Sequence, residues 1–202
     1  MAIKNNDRLL RINTTSLGEE PSQSAHYNQY EATPYIVLDA FFDTYELSKT
    51  DGLVDYGCGK GRVMFYVHNR FNVPVTGIEM NDQLYHKALT NMTHYLQKTK
   101  GKSPAIRVSR CKAEEYNVDE KENRFYFFNP FSIEIFMKVV NNIMLSVERQ
   151  ERDVELILYY PIPEYIEYLE TNTPFDLIRE VKVPQLYTIN NDERFLIYRL
   201  GW

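Results

Sequence analysis

The sequence lacks the features of exported, membrane-spanning and metal-binding proteins. Its 202 residues include two cysteines, Cys58 and Cys111, too few for a disulfide framework or, alone, for a four-ligand zinc site. No apolar run approaches the roughly 18 to 20 residues that a membrane span needs. The N-terminus carries charges without the apolar segment of a secretory signal. We therefore expect a soluble, cytoplasmic protein with no metal site and no membrane contact.

A basic excess is also missing, because 23 Lys and Arg residues face 28 Asp and Glu residues, for a net charge of -5. Nucleic-acid affinity rests largely on the neutralisation of phosphates, so stable binding to nucleic acid is not expected. The length and the 44% hydrophobic content suit one substantial core rather than two. The sequence predicts a single domain over residues 1–202, with residues 1–51 as an N-terminal cap segment and residues 52–202 as its core.

Short apolar runs alternate with longer amphipathic stretches from residue 52 onward, which is typical of βαβ units. The aromatic run within residues 124–128 predicts a central strand that is buried on both faces. The predicted strands of the alternating part cover residues 52–57, 75–80, 105–109, 124–128 and 154–160. The predicted helices cover residues 35–45, 62–71, 82–98, 133–147 and 163–169.

The pattern changes after residue 175, where no helix separates the strand-like segments 175–183 and 194–200. Two such strands predict an antiparallel hairpin at the sheet edge. The predicted fold class is therefore α/β, with a doubly wound, mostly parallel seven-stranded sheet, an antiparallel C-terminal edge hairpin and an N-terminal helical cap.

The strongest motif is Asp-Tyr-Gly-Cys-Gly-Lys-Gly at residues 55–61, between a predicted strand and a predicted helix. Glycines allow positive φ and let a ligand approach the backbone, and the N–H groups of the following helix favour a carboxylate or a phosphate. A dinucleotide loop has the spacing Gly-x-Gly-x-x-Gly, whereas here Gly57, Gly59 and Gly61 alternate and Arg62 follows. An ordinary strand-to-helix turn is the remaining alternative.

Asp55 decides between the two ligand classes. A carboxylate at the strand end would repel a pyrophosphate and attract a cation. S-adenosylmethionine carries a sulfonium and an ammonium group, and its carboxylate can meet backbone N–H groups. The motif therefore favours S-adenosylmethionine over a nicotinamide dinucleotide, although Asp55 could also cap the next helix.

Over about residues 27–161 the chain resembles the class I, Rossmann-like S-adenosylmethionine-dependent methyltransferases. Residues 54–61 match the family's first motif, and Gly77-Ile78-Glu79 matches its second. The resemblance implies that Glu79 holds the ribose hydroxyls and that Met80 flanks the adenine. The family often has an acidic residue beside a small one at the adenine amino group, whereas this chain has Cys-Lys-Ala-Glu-Glu at residues 111–115, so Ala113 and Glu114 are the candidates there.

Asn129-Pro130-Phe131, after the fourth predicted strand, resembles a shortened Asn-Pro-Pro-aromatic motif of amino-group methyltransferases. The resemblance implies that the Asn129 side chain and a following carbonyl accept hydrogen bonds from a target nitrogen, while the Phe131 ring stacks on a planar substrate. These three are the predicted catalytic residues. Alternatively, Pro130 ends a strand and Phe131 joins the core.

Two aromatic segments carry open alternatives. Tyr27, Tyr30 and Thr33 resemble a segment that folds over the methionine moiety in several such enzymes, but Thr33 before Pro34 also fits a helix N-cap. Tyr159 and Tyr160 lie at the end of the fifth predicted strand, where ligands of open α/β sheets bind. They either contact an acceptor in its pocket or serve only as a structural part of the pocket wall. The predicted cofactor-binding residues are Tyr30, Thr33, Asp55, Gly57, Cys58, Gly59, Gly61, Glu79, Met80, Ala113, Glu114 and Asn129.

The sequence leaves three functions open. The favoured one is an S-adenosylmethionine-dependent methyltransferase whose unknown acceptor is a small molecule or a protein, with an amino nitrogen suggested. The second is a binding module or subunit that holds S-adenosylmethionine without catalysis. The third, a nicotinamide-dependent reductase, is disfavoured by the glycine spacing and by Asp55.

Overall fold

The computed structural model describes residues 6–15, 28, 30–99 and 105–201. Seven strands form one sheet: β1 (Leu53–Tyr56), β2 (Val75–Ile78), β3 (Ile106–Ser109), β4 (Arg124–Phe127), β5 (Val154–Tyr159), β6 (Asp176–Lys182) and β7 (Arg194–Leu200). Their order across the sheet is β3-β2-β1-β4-β5-β7-β6. The first five are parallel, and β7 runs antiparallel to both β5 and β6. The predicted fold class and the central position of β4 are confirmed.

In the described ranges, six α-helices accompany the sheet: α1 (Asn6–Leu10), α2 (Tyr35–Phe42), α3 (Arg62–Phe71), α4 (Asp82–Thr99), α5 (Ile133–Arg149) and α6 (Pro163–Asn172). The helix predicted over residues 35–45 ends earlier, at Phe42, and the short α1 is not predicted by the sequence pattern. Leu10 of α1 packs with Phe65 and Tyr95 in a small apolar cluster. The N-terminal segment therefore contacts the core.

The central strands β1, β4 and β5 are buried on both faces, which explains their continuous apolar character. Phe125 and Phe127 of β4 pack against α5, whereas Tyr126 between them packs on the opposite face with residues of α2 and α3. This alternation follows from the two-residue period of a strand. It leaves the ends of the strands as the open positions for a ligand.

Within the described ranges, no helix combines the length and the apolar character needed to cross a membrane. In that same part of the chain, no three His, Cys, Asp or Glu side chains are grouped to hold a metal ion.

Candidate functional site

A cavity of about 470 Å³ opens at the carboxyl ends of β1, β2, β4 and β5. It straddles the point between β1 and β4 where the strand order reverses, which is where open α/β sheets bind ligands. Residues 30–34, here called the strap, form another part of its wall. The residues that the sequence singles out at these strand ends thus converge on one site.

The glycine turn after β1 has the backbone that its sequence predicts. Gly57, Gly59 and Gly61 have φ values of 77°, 54° and 88°, a region that favours glycine. A Cβ on Gly57 would lie 2.6 Å from the Pro130 Cβ, and one on Gly59 would lie 2.1 Å from the Tyr30 ring. Gly57 belongs to the cavity wall, whereas Gly59 and Gly61 shape the turn behind it.

Asp55 presents a buried carboxylate to the cavity, with 4% of the residue exposed. Within the described part of the chain it has no hydrogen-bond or ion-pair partner. Burial, and then the nearby charge of Glu79, raise the pKa of Asp55 to about 8. A cation bound beside this carboxylate would offset the free-energy cost of ionising it in a buried position.

Glu79 is held at the end of β2 by backbone N–H groups. Its Oε2 accepts a hydrogen bond from the Gly59 N–H (2.9 Å) and its Oε1 accepts one from the Asn81 N–H (2.7 Å). Burial raises the pKa of Glu79 and these hydrogen bonds oppose the rise. Each oxygen keeps a second lone pair for a hydroxyl donor. Met80 lines the cavity beside it.

Of the two candidates for the adenine edge, only Ala113 lines the cavity. Ala113 and Glu114 lie in a 3-10 turn after β3, where the Glu114 carbonyl accepts a hydrogen bond from the Asn142 side chain (2.7 Å) on α5. The turn brings Ala113 to the wall, whereas Glu114 is not among the lining residues, and its role at the adenine edge stays a prediction. Cys111, which the sequence interpretation assigned no role, also lines the cavity, as does Cys58.

Asn129 follows β4 in a left-handed conformation, with φ of 39°. Its Nδ2 donates to the Tyr160 carbonyl at 2.5 Å. Since a carbonyl can only accept, this contact fixes the amide orientation and turns Oδ1 away from Tyr160. Oδ1 is buried, with no hydrogen-bond partner in the described ranges. An orphaned buried acceptor is costly unless a ligand supplies a donor.

The rest of the Asn-Pro-Phe segment departs from expectation. The Pro130 carbonyl accepts from the Asn28 backbone N–H (3.1 Å), and the Asn129 carbonyl accepts from the Asn28 side chain (2.6 Å). Phe131 is 1% exposed and meets Phe127 edge to face in the core. The predicted stacking of Phe131 on a substrate is wrong, because burial between β4 and α5 removes its ring from the cavity. The alternative, that Phe131 joins the core, is confirmed.

The strap brings Tyr30 and Thr33 to the cavity, while Tyr27 lies outside the described residues. The Tyr30 hydroxyl donates to the Thr14 carbonyl (3.2 Å), and the Lys60 ammonium lies 5.0 Å from the centre of the Tyr30 ring. The Thr33 hydroxyl pairs with the Tyr126 hydroxyl at 2.9 Å. Pro34, not Thr33, is the residue before α2, and it makes no side-chain cap. The N-cap interpretation of Thr33 is therefore wrong.

Arg62 lines the cavity and is not among the site residues predicted from the sequence. Its Nε donates to the Thr14 hydroxyl (2.7 Å), and its Nη1 donates to the Thr33 carbonyl (3.2 Å) and the Ala32 carbonyl (3.3 Å). Asp7 accepts from the Thr14 N–H (2.6 Å) and hydroxyl (2.7 Å) and from the Tyr35 hydroxyl (2.5 Å). This Arg62 network, consisting of Asp7, Thr14, Tyr35 and Arg62, holds the strap. Its partners are far apart in the chain, so no local pattern reveals it.

Tyr159 and Tyr160 both line the cavity at the end of β5. The Tyr159 hydroxyl donates to Glu193 Oε2 at 2.5 Å, and the Tyr160 hydroxyl accepts from the Asn190 side chain at 2.6 Å. Glu193, directly before β7, and Glu31 of the strap complete this wall. The sequence interpretation did not include either glutamate.

Comparison with known proteins bears first on the sequence. No family model matches the chain. A curated relative, a protein-lysine N-methyltransferase from Saccharolobus islandicus (strain REY15A), is 34% identical over 64 residues. That stretch is 31% of this chain and spans only 40% of the relative's length.

Comparison of the whole fold gives broader matches. An RNA methyltransferase from Salinibacter ruber, in complex with S-adenosyl-L-homocysteine, matches with a TM-score of 0.56 at 15% identity, over 84% of this chain and 92% of that one. Phosphoethanolamine N-methyltransferase 1 from Haemonchus contortus, in complex with phosphoethanolamine and S-adenosylhomocysteine, matches with a TM-score of 0.58 at 14% identity, over 83% of this chain and 42% of its own.

A geranyl diphosphate C-methyltransferase from Streptomyces coelicolor A3(2), also with S-adenosyl-L-homocysteine, has a TM-score of 0.51 at 13% identity, over 82% of this chain and 76% of that one. These enzymes share a fold and differ in acceptor. The chain has the fold of the class I, Rossmann-like S-adenosylmethionine-dependent methyltransferases, as its sequence predicts.

Proposed function

We propose that this protein is an S-adenosylmethionine-dependent methyltransferase that acts on an amino nitrogen of a small molecule or a protein. The observation that carries the proposal is the Asp55 carboxylate, buried in the cavity wall without a counter-charge in the described ranges. A buried carboxylate is stable as an anion only beside a cation. The S-adenosylhomocysteine complexes with the same fold support this choice of cation-bearing cofactor.

Each predicted site residue that reaches the cavity has a role in this proposal. Asp55 pairs with the ammonium group of the methionine moiety, and Glu79 accepts hydrogen bonds from the ribose hydroxyls. The strap residues Tyr30 and Thr33 cover the methionine moiety. Met80 and Ala113, which line the cavity, would flank the adenine. The cofactor would supply an electrophilic methyl group on its sulfonium.

The turn that shapes this half has four further members. Gly57 and Cys58 line the cavity wall, and Gly59 donates its N–H to Glu79. Gly61 is the N-cap of α3 and has a positive φ of 88°. We assign these residues to shaping and lining the cofactor site.

Asn129 is the proposed catalytic residue, because it lines the cavity at the end of β4 and its buried Oδ1 has no hydrogen-bond donor in the described ranges. The bound cofactor would donate its methyl group to the lone pair of a neutral amine nitrogen and would be left as a neutral thioether. Asn129 would orient that lone pair, and the extra nitrogen proton would be lost to water. Such positioning can supply roughly 7 to 11 kcal/mol of a barrier. Pro130 lines the same wall, and Phe131 has no role in the step.

Calorimetric titration with S-adenosylhomocysteine tests the cofactor site. Asp55→Ala is expected to abolish detectable binding, because it removes the carboxylate that pairs with the ligand ammonium. Asp176→Asn, which neutralises an exposed carboxylate on the edge strand β6, is the matched control and should bind as the wild type does. Unchanged affinity of Asp55→Ala would contradict the assignment.

One observation favours a second candidate, a module that binds the cofactor without catalysis. The Pro130 carbonyl already accepts a hydrogen bond from the Asn28 N–H, and Phe131 is buried in the core. The carbonyl acceptor and the stacking ring that the amine motif implies are therefore both engaged elsewhere. This candidate predicts S-adenosylhomocysteine binding without methyl transfer to any amine. A thermal-shift comparison with NADH separates both candidates from a reductase.

We further propose that residues 1–202 form one cytoplasmic domain in which residues 1–51 act as a cap. The Arg62 network supports the cap, because it ties residues 7, 14 and 35 to the start of α3. Cys58 and Cys111 are free thiols, which suits a reducing compartment. The four acids and one base at the cavity support a small-molecule or protein acceptor over nucleic acid.

A further inference from the structure

The cavity carries two separate pairs of acidic side chains. Asp55 and Glu79 lie at the ends of β1 and β2, and the charge of Glu79 acts on Asp55. Glu193 and Glu31 lie at the other side, where both charges act on Tyr159 at the end of β5. The order β2-β1-β4-β5 puts Asn129, at the end of β4, between the two pairs.

The second pair, Glu193 and Glu31, has no assigned role in the proposed cofactor site. The single basic residue of the cavity wall, Arg62, is engaged by Thr14 and by two strap carbonyls. Glu193 accepts from the Tyr159 hydroxyl (2.5 Å), and neither Glu193 nor Glu31 meets a cation in the ranges that the structure describes. Two unneutralised carboxylates therefore face the half of the cavity that remains for the acceptor.

Aromatic rings line the same cavity as this second pair. The rings of Phe128 and Tyr159 lie 4.7 Å apart, and those of Phe128 and Tyr160 lie 6.4 Å apart. The faces of such rings attract cations. Asn129, held by the Tyr160 carbonyl, adds an acceptor without a donor. Carboxylate, aromatic ring and amide oxygen together match a group that is cationic, rich in N–H donors and carried on an apolar stem.

We infer that Glu193, positioned by the Tyr159 hydroxyl and assisted by Glu31, is the specificity-determining residue that selects a primary alkylammonium group as the methyl acceptor. The inference rests on the proposed function, because the acceptor half is defined by the cofactor half. Glu193 draws the protonated amine into the cavity. After the amine loses its proton to water, Asn129 Oδ1 accepts one of the remaining N–H groups and orients the lone pair.

The test is a calorimetric titration of the protein saturated with S-adenosylhomocysteine. The probes are n-butylammonium and its neutral isostere n-butanol, each titrated into the wild type and into Glu193→Gln, which keeps an acceptor for Tyr159 and removes the charge. Glu151→Gln, an exposed acid before β5 at the opposite end of the sheet, is the matched control. Nα-Acetyl-lysine methylamide and 1,5-diaminopentane distinguish a protein side chain from a free amine as the source of the ammonium group.

We expect the wild type to bind n-butylammonium at least about tenfold more tightly than n-butanol, since a hydrogen bond to a charged group is stronger than one between neutral groups. Glu193→Gln should remove most of this preference while binding S-adenosylhomocysteine normally, and Glu151→Gln should retain it. Equal binding of n-butanol, or an unchanged preference in Glu193→Gln, overturns the inference. Failure of the wild type to bind S-adenosylhomocysteine overturns the proposed function itself and, with it, the inference.

Discussion

Asp55 is the residue whose environment departs furthest from that of an ordinary surface acid. Its carboxylate is buried and has no partner in the described ranges, and burial together with Glu79 raises its pKa to about 8. The folded protein therefore binds a proton on Asp55 more tightly than the unfolded chain does. Its contribution to stability is present below the ordinary pKa of about 4 and is lost as the pH rises through 8.

Asp55→Asn imitates the protonated form and should stabilise the protein increasingly as the pH rises from 5 to 8. The gain in the free energy of unfolding over the wild type should grow by at most about 1.4 kcal/mol per pH unit. Urea denaturation of the two proteins without added cofactor measures it. A difference that is the same at pH 5 and pH 8 would show that Asp55 ionises normally, and Asp176→Asn should give a flat profile.

For single residues, the sequence predicts a role only where a local pattern fixes the position of the residue. The positions of Gly57, Asp55 and Glu79 follow from the predicted ends of two neighbouring strands, so their convergence on one site could be predicted. Phe131 and Glu114 could not, because their orientation depends on packing against α5, which is distant in sequence.

The strap is an element without secondary structure that is fixed by a charged side chain. Arg62 makes three hydrogen bonds to Thr14, Ala32 and Thr33, and its guanidinium lies 4.8 Å from the centre of the Tyr35 ring. Such charge-assisted contacts are stronger than neutral ones. One arginine at the start of α3 thus couples the wall of the cavity to the N-terminal segment.

Arg62→Ala should loosen the strap and weaken S-adenosylhomocysteine binding by about tenfold, since the lost contacts contribute on the order of 1.5 to 3 kcal/mol. Hydrogen exchange should accelerate at the amides of residues 12–14 and 31–33. Arg70→Ala, on the same helix but bonded to Phe42, Asp43 and Tyr66, is the matched control. Unchanged exchange in the strap would rule out this role for Arg62.

Helices and strands could be predicted where burial gives their apolar residues a regular spacing along the sequence. The β-strands and the amphipathic helices of the core carry their own patterns, and the structure contains each of them with shifts of a few residues at the ends. The five residues of α1 are too few to display a period, and they are held by contacts to Thr14, Tyr35 and Phe65. Long-range contacts of this kind leave no local signal.

In the molecule as a whole, the two ends of the sheet have different roles. The cavity occupies the carboxyl ends, whereas a buried charge cluster occupies the amino end of β5. There Glu155, 2% exposed, accepts from Arg199 Nη2 (2.6 Å) and Nε (2.9 Å) and from the Tyr45 hydroxyl, with Arg124 Nε at 3.7 Å. Stability and ligand binding should therefore respond to different substitutions.

Glu155→Gln should lower the free energy of unfolding by on the order of 3 kcal/mol, because it leaves Arg124 and Arg199 without their shared carboxylate. Affinity for S-adenosylhomocysteine should stay within error of the wild type. Urea denaturation and calorimetry measure the two quantities. Glu115→Gln breaks only an exposed pair with Lys112 and should cost less than about 1 kcal/mol. A loss of cofactor affinity in Glu155→Gln would argue against separate roles for the two ends of the sheet.

The antiparallel attachment of β7 to β5 has one more consequence. It delivers Glu193 to the cavity from the connection between β6 and β7, while Asp55 and Glu79, the acids assigned to the cofactor, lie at the ends of β1 and β2. Surface connections tolerate insertion and replacement better than the elements they join. In the proposed arrangement, exchange of residues 184–193, which include Glu193, would change the choice of acceptor without rebuilding the donor half, so new substrates are evolutionarily accessible from this scaffold.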